Sequence, residues 1–259
     1  MKYMGSKARF AKHILEIVLS DRKDGQWYVE PFCGGCNIID RVGGNRIAND
    51  AHPYLIAMWE SLVYGGWIPE MIDAERYTLI KDNVANFPKH VVGWTGFNCS
   101  YSGKYFGGFA GEVHTKIGTV RDYQSEAIKN VSRQVKSLSG VVFSNKSYQD
   151  MTIPPNSIIY CDPPYRETSE YKVGAFDSDA FWEWCRMQSR NGHRVFVSEY
   201  QAPNDFECVW SKDAKSSLSA NGRYGGSKDS VERLFVPKWQ ERARRIADAP
   251  RQIGIMETA

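Results

Sequence analysis

The sequence has 259 residues, of which 42% are hydrophobic and 13% aromatic; this suits one large domain, or one domain with a sizeable insertion, and excludes a disordered chain. Its net charge is +3, from 33 basic and 30 acidic residues, and this balance neither requires nor excludes a nucleic-acid partner because phosphate contacts depend on local clustering. No apolar run reaches the roughly 18–20 residues that cross a bilayer, and the first residues lack the apolar stretch of a secretion signal, so we expect a cytoplasmic protein with no membrane partner.

Helical and strand patterns alternate over most of the chain. In its first part the sequence predicts a helix at 8–19, a strand at 27–29, a helix near 36–41, a strand at 46–48 and a helix at 53–64. After a segment of different texture it predicts a helix at 123–138, strands at 141–143 and 157–161, a helix at 176–189, and strands at 193–198 and 231–236. Strands that alternate with helices predict a mostly parallel sheet with helices on both faces.

Residues 66–129 interrupt this alternation. Helical residues around 69–84 lead into a glycine-rich, aromatic stretch from Gly93 to Gly118, which favours loops and a hairpin over a long helix. We therefore interpret 66–129 as an insertion. Residues 238–259 form a basic tail.

The six cysteines are scattered, and only Cys33 and Cys36 lie close together. Such a pair formally matches half of a zinc or redox site. A structural zinc site usually needs four ligands, and no second pair lies nearby in sequence. We therefore predict buried cysteines and no metal.

The four residues Asp162, Pro163, Pro164 and Tyr165 directly follow the strand at 157–161, where open α/β sheets bind their ligands. An adenine amine is a poor nucleophile because its lone pair is delocalised into the ring. A carboxylate and a carbonyl that accept its hydrogens would free that lone pair, and the prolines have no N–H to compete. Tyr165 would stack on an extruded base. These residues are the predicted reacting centre.

A glycine loop, Pro31-Phe32-Cys33-Gly34-Gly35, follows the first strand, and Asp50 ends the second. Glycines let the backbone approach a ligand closely, and an acidic residue at such a strand end commonly accepts hydrogen bonds from ribose hydroxyls. The alternative for Asp50 is a helix cap before Pro53.

Together these segments resemble the Dam-type adenine methyltransferases of bacteria and phages, in their alpha-ordered class. The resemblance rests on segments 2–7, 30–35, 48–50, 97–107, 141–150, 162–165 and 221–234, which follow the family's order over about residues 2–236. It implies a mostly parallel, doubly wound, Rossmann-like methyltransferase sheet, formed by 1–65 and 130–237, with a smaller inserted target-recognition domain at 66–129.

The same resemblance implies site-specific transfer of a methyl group from S-adenosylmethionine to the N6 amine of an adenine flipped out of duplex DNA. The residues it assigns to the cofactor are Tyr3, Lys7, Glu30, Pro31, Phe32, Cys33, Gly34, Asp50, Phe143, Ser144 and Asp162. Those expected to contact DNA are Asn98, Ser100, Tyr101, Ser102, Lys104, Lys116, Arg121, Asn221 and Arg223.

Two other functions compete with this one. The same four-residue motif suits methyl transfer to an RNA adenine or a protein glutamine amide, although the insertion argues against glutamine because reading a duplex needs a dedicated element. The second competing function is that of a DNA-binding homologue without catalytic activity. The presence of both Asp162 and the glycine loop argues against it. The recognition sequence, a partner restriction enzyme and the choice between monomer and weak dimer stay open.

Overall fold

The computed structural model describes residues 1–114, 118–164, 176–215 and 229–240. The chain divides into two compact units, Met1–Asp162 and Pro163–Ala259. In the first unit the elements are α1 (Ala11–Val18), β1 (Tyr28–Glu30), β2 (Arg46–Asn49), α2 (Pro53–Val63), α3 (Ala74–Asp82), α4 (Lys89–Asn98), β3 (Glu112–His114), β4 (Val120–Asp122), α5 (Tyr123–Ser137), β5 (Val141–Ser144) and β6 (Ile158–Cys161).

Four strands of the first unit form a parallel sheet in the order β5-β2-β1-β6. Val29 of β1 pairs with Ile47 of β2 on one side and with Ile159 of β6 on the other. Every residue of β1, β2 and β6 is buried, as expected for parallel strands whose two faces are covered. The predicted parallel α/β sheet is therefore confirmed.

The helix predicted near 36–41 is wrong. Only a short 3-10 turn forms, from Ile39 to Arg41. Cys36 has a φ of +54°, in the left-handed region that cannot continue a right-handed helix.

The first part of the glycine-rich stretch is a helix and not the predicted loop. Helix α4 runs through Gly93 and Gly96 and ends at Asn98. A Cβ at Gly93 would lie 2.1 Å from the carbonyl oxygen of Tyr54 in α2. The glycine thus allows two helices to pack at very short distance. Farther along, β3 and β4 pair antiparallel, with Val113 opposite Arg121, but β4 lies beyond Gly118, outside the stretch in which the hairpin was predicted.

The second unit contains α6 (Ser178–Arg190), β7 (Arg194–Ser198), β8 (Phe206–Lys215) and β9 (Asp229–Pro237). Asp177 caps α6, because its Oδ1 accepts the N–H of Ala180 at 2.9 Å. β9 pairs antiparallel with both β7 and β8. β8 was not predicted, because the apolar alternation of Phe206, Cys208 and Trp210 is short and the following residues 211–213 are exposed and polar.

Candidate active site

The glycine loop and Asp162 follow two neighbouring parallel strands of the first unit. β1 pairs directly with β6, with Tyr28 opposite Ile158. The carboxyl ends of parallel strands meet at the same edge of a sheet. The loop after β1 and the aspartate after β6 therefore share the edge at which such sheets bind ligands.

Asp162 is held by an ion pair with Lys7. The Lys7 Nζ lies 3.1 Å from Asp162 Oδ1, and the side chains are 5% and 23% exposed, respectively. The same ammonium group donates to the carbonyl oxygen of Gly5 at 3.2 Å. A nearly buried ammonium needs a paired anion, so Lys7 fixes the carboxylate in place while part of it stays accessible to a substrate.

Asp50, at the end of β2, fastens the glycine loop. Its Oδ2 accepts the backbone N–H of Gly34 at 3.1 Å, and its Oδ1 accepts the N–H of His52 at 2.9 Å. Burial raises the pKa of Asp50, and the two hydrogen bonds oppose that shift. The residue that caps α2 is His52, whose Nδ1 accepts the N–H of Leu55 at 3.4 Å, so the helix-cap alternative for Asp50 is wrong.

The ring of Tyr3 lies directly on the glycine loop. A Cβ at Gly34 would come 2.6 Å from Tyr3 Cε1, and one at Gly35 would come 2.7 Å from Tyr3 Cβ. Gly34 also has a φ of +45°, which an L side chain adopts only under strain. Both glycines are therefore required for this approach.

Sequence reasoning did not assign a role to Asn49, which ties three strand ends together. This side chain has no exposed surface. Its Nδ2 donates to the carbonyl oxygens of Pro31 and Lys146, both at 3.0 Å, and its Oδ1 accepts the N–H of Lys146 at 3.1 Å. Pro31 follows β1 and Lys146 follows β5, so one amide aligns the loops on either side of β2. The only sequence signal was its position beside Asp50.

A family model described as D12 class N6 adenine-specific DNA methyltransferase matches residues 3–216. The chain belongs to this family. The resemblance to Dam-type adenine methyltransferases is thereby confirmed, and membership implies S-adenosylmethionine as the cofactor. No described helix is long and apolar enough to cross a membrane.

Among solved structures, this methyltransferase is similar to SMU.472, described as a candidate methyltransferase complexed with SAH. The sequence identity is 13% and the TM-score is 0.34. The match covers 92% of this chain and 54% of the other, so the chain spans about half the length of that protein.

Two of the residues assigned to the cofactor are turned into the core of the methyltransferase. Glu30 is 3% exposed and accepts a hydrogen bond from the Tyr28 hydroxyl at 2.8 Å. Burial raises the pKa of Glu30 well above its ordinary value. Phe143 is 8% exposed, and its ring meets Tyr64 edge-on at 5.8 Å.

Phe32 and Cys33 lie on the loop after β1, and Ser144 is the last residue of β5. The Phe32 and Tyr148 rings are 5.3 Å apart, and the carbonyl oxygen of Ser144 accepts the N–H of Asp50 at 3.2 Å. Cys33 is buried and its backbone N–H donates to the carbonyl oxygen of Asn49 at 2.8 Å.

Burial raises the pKa of both thiols of the Cys33–Cys36 pair, which keeps the sulfurs protonated and unreactive. Within the described part of the chain, no group of three or more His, Cys, Asp or Glu side chains could hold a metal ion.

The residues assigned to DNA differ in exposure. Asn98 and Ser100 are buried, and the Ser100 hydroxyl lies 2.9 Å from that of Tyr77. Tyr101 is 44% exposed, and the side chains of Ser102, Lys104 and Arg121 are exposed as well. Of the catalytic motif, Pro163 is buried and Pro164 exposed in the second unit. Lys116, Tyr165, Asn221 and Arg223 lie outside the described residues.

Proposed function

We propose that this methyltransferase moves a methyl group from S-adenosylmethionine to the N6 amine of an adenine flipped out of duplex DNA. The observation that carries the proposal is the Lys7–Asp162 ion pair at the end of β6, on the strand next to the glycine loop. A fixed hydrogen-bond acceptor thereby lies at the same sheet edge as a loop that suits the cofactor.

The side chains around the loop fit S-adenosylmethionine. Each oxygen of Asp50 accepts one backbone N–H, which leaves lone pairs for the ribose hydroxyls. Gly34 lets the ring of Tyr3 lie against the loop backbone, and Tyr3 and Phe32 offer apolar surface to the cofactor. When bound, the cofactor supplies a methyl group on a positively charged sulfur.

Asp162 acts on the acceptor nitrogen. Its carboxylate would accept a hydrogen bond from the adenine amine and so orient the nitrogen lone pair for attack. Methyl transfer would form the nitrogen–carbon bond as the sulfur–methyl bond breaks, and the methylated amine would then release one proton to solvent. Lys7 keeps the carboxylate oriented throughout. Fixed electrostatic partners of this kind are worth on the order of 100-fold or more in rate.

The inserted segment 66–129 is proposed to read the DNA. Tyr101, Ser102, Lys104 and Arg121 carry exposed side chains there. Arg121 is 45% exposed, and its guanidinium binds the Glu126 carboxylate at 2.6 and 2.9 Å. Action on duplex DNA would place the protein in the cytoplasm or at the nucleoid of a bacterial host.

The test is to incubate the purified chain with methyl-labelled S-adenosylmethionine and, in parallel, duplex DNA, duplex RNA or a protein mixture. Labelled N6-methyldeoxyadenosine should appear after digestion of the DNA sample only. Label in RNA or on glutamine, with none in DNA, would refute the proposal. Sequencing of the methylated DNA then identifies the recognition site.

A further inference from the structure

Trp59 joins helix α2 to the glycine loop that follows β1. Its side chain has no exposed surface, and its indole Nε1 donates a hydrogen bond to the carbonyl oxygen of Gly34 at 3.1 Å. The Cys36 sulfur lies 3.9 Å from the same oxygen, but a thiol is only a weak donor. Among the described residues, Trp59 is therefore the main hydrogen-bond partner of this carbonyl group.

The indole acts on the central peptide of a tight turn. The backbone N–H of Cys36 donates to the carbonyl oxygen of Cys33 at 2.7 Å, which closes a four-residue turn with Gly34 and Gly35 at its centre. Gly34 has a φ of +45°. Turns of types I′ and II′ both have a positive φ at this position, and they differ in the orientation of the peptide that follows it. The bond from Trp59 thus selects one orientation of the peptide between Gly34 and Gly35.

Three of the four backbone polar groups of these two glycines have partners in the protein. The Gly34 N–H donates to Asp50 Oδ2 at 3.1 Å, and the Gly34 carbonyl accepts from Trp59. The carbonyl oxygen of Gly35 accepts from Gln134 Nε2 at 2.9 Å. The Gly35 N–H has no hydrogen-bond partner among the residues that the structure describes, although Gly35 is buried. Buried backbone N–H groups are almost always paired, so a ligand is the expected partner of this one.

The bond from Trp59 also sets the direction of the Gly35 N–H. The peptide is trans, and in a trans peptide the C=O and the N–H point in opposite directions. Because the Gly34 carbonyl points at Trp59 in α2, the Gly35 N–H points away from α2. The loop lies at the sheet edge where such folds bind ligands, and S-adenosylmethionine has acceptor groups, including a carboxylate, that suit a backbone donor.

We propose that Trp59 is a positioning residue for the cofactor, because its indole orients the 34–35 peptide so that the Gly35 N–H donates a hydrogen bond to S-adenosylmethionine. This inference rests on the placement of the cofactor at the glycine loop under the proposed function. Without the indole the peptide is free to flip, and the Gly34 carbonyl oxygen would then face the cofactor in place of a donor. Only the fraction of molecules with the native orientation binds normally, so the apparent dissociation constant rises by the inverse of that fraction.

The first test measures the S-adenosylmethionine affinity of Trp59→Phe by calorimetry. Phenylalanine keeps a buried aromatic ring and removes only the indole donor, and loss of one buried hydrogen bond should favour the flipped peptide enough to weaken binding about tenfold. The matched control is Trp94→Phe, since Trp94 is also buried and its indole N–H has no hydrogen-bond partner in the described ranges. The control should bind the cofactor as the wild type does. A folded Trp59→Phe protein with the affinity of the control would overturn the proposal.

The second test uses the wild-type chain and needs no variant that folds. The amide proton signal of Gly35, followed by NMR, should move downfield when S-adenosylmethionine saturates the protein, because a hydrogen bond to an acceptor deshields this proton. A Gly35 signal that stays fixed while the Asp50 signal moves would overturn this inference alone. Signals of the whole loop that stay fixed with the cofactor bound would refute the placement of the cofactor as well.

Steady-state methylation of DNA separates positioning from general damage to the fold. Trp59→Phe should raise the KM for S-adenosylmethionine about tenfold and leave kcat close to the wild-type value, as expected when an interaction shared by ground state and transition state is lost. A fall in kcat with KM unchanged would contradict the role given to Trp59. A wild-type protein that methylates no DNA would instead refute the proposed function.

Discussion

Replacement of Asn49 by alanine should destabilise the methyltransferase strongly. The substitution removes one buried and two partly buried hydrogen bonds, two from Nδ2 at 3.0 Å and one to Oδ1 at 3.1 Å. At about 1 kcal/mol each, their net loss lowers the free energy of unfolding by about 3 kcal/mol, and more if the carbonyl groups of Pro31 and Lys146 stay unsatisfied. That is a large share of the roughly 5–15 kcal/mol that stabilises a typical protein.

Urea unfolding measures this change from the shift in midpoint multiplied by the slope of the transition. The matched control is Asn145→Ala, which removes one exposed hydrogen bond, from Asn145 Nδ2 to the carbonyl oxygen of Asp50 at 2.8 Å, and should cost less than about 1 kcal/mol. A loss for Asn49→Ala no larger than that of the control would show that the amide does not tie the strand ends together.

Three further predictions concern the cofactor loop, pH dependence and DNA. In Gly34→Ala the new Cβ would meet Tyr3 at 2.6 Å, so the loop of the free variant should relax to another conformation. Binding would have to restore the left-handed φ at a cost of roughly 1–2 kcal/mol, which weakens S-adenosylmethionine binding about tenfold. Burial lowers the pKa of His52 from 6.5 to about 4. Between these two pH values the unfolded chain binds a proton on this group and the folded chain does not. The free energy of unfolding should therefore fall by up to about 3 kcal/mol as the pH drops from 6.5 to about 4. His52→Asn, which can still cap α2, should remove this part of the pH dependence of urea unfolding. Lys104→Ala together with Arg121→Ala should weaken DNA binding and flatten its dependence on salt, measured by titration at several salt concentrations, with cofactor affinity unchanged.

Each of these predictions has an outcome that would contradict it. Gly66 has a φ of +62°, and a Cβ at this position would meet no atom within 4 Å, so calorimetry should show unchanged cofactor affinity for Gly66→Ala. Equal cofactor affinities for Gly34→Ala and Gly66→Ala would contradict the contact of Gly34 with Tyr3. A pH dependence of the free energy of unfolding that is unchanged in His52→Asn would contradict the role given to His52. A salt dependence that stays the same in the double variant would move DNA recognition away from Lys104 and Arg121.

The parallel strands were predictable from sequence because they are short apolar runs bounded by loops, and the local signal matches their burial. The helix through Gly93 and Gly96 was not predictable, because those glycines serve the close approach of α2 and of the Tyr105 ring, which lie elsewhere in the chain. The strand β8 was not predicted for a different reason. Its exposed residues 211–213 are all polar and show no alternation of apolar and polar side chains.

Part of the candidate site was likewise predictable from sequence, and part was not. The motifs at 31–35 and at 162–165 pointed to the edge where ligands bind, because residue type and strand position are both local properties. The pairing of Lys7 with Asp162 joins residues 155 positions apart, and the three bonds of Asn49 reach two other loops. Such contacts depend on how strands are ordered in the sheet, which the spacing of residues along the chain does not specify.

The most direct test of the proposed chemistry compares methyl transfer and cofactor affinity in Asp162→Ala and Asp162→Asn. Asparagine keeps an oxygen that can accept a hydrogen bond from Lys7. Comparison of the two variants therefore separates loss of the negative charge at position 162 from loss of the hydrogen-bond acceptor for the buried Lys7. Single-turnover transfer to DNA should fall on the order of 100-fold or more in both variants, and calorimetry should show a much smaller loss of S-adenosylmethionine affinity. Near-normal transfer by either variant would contradict the role of Asp162 as the acceptor that orients the adenine amine.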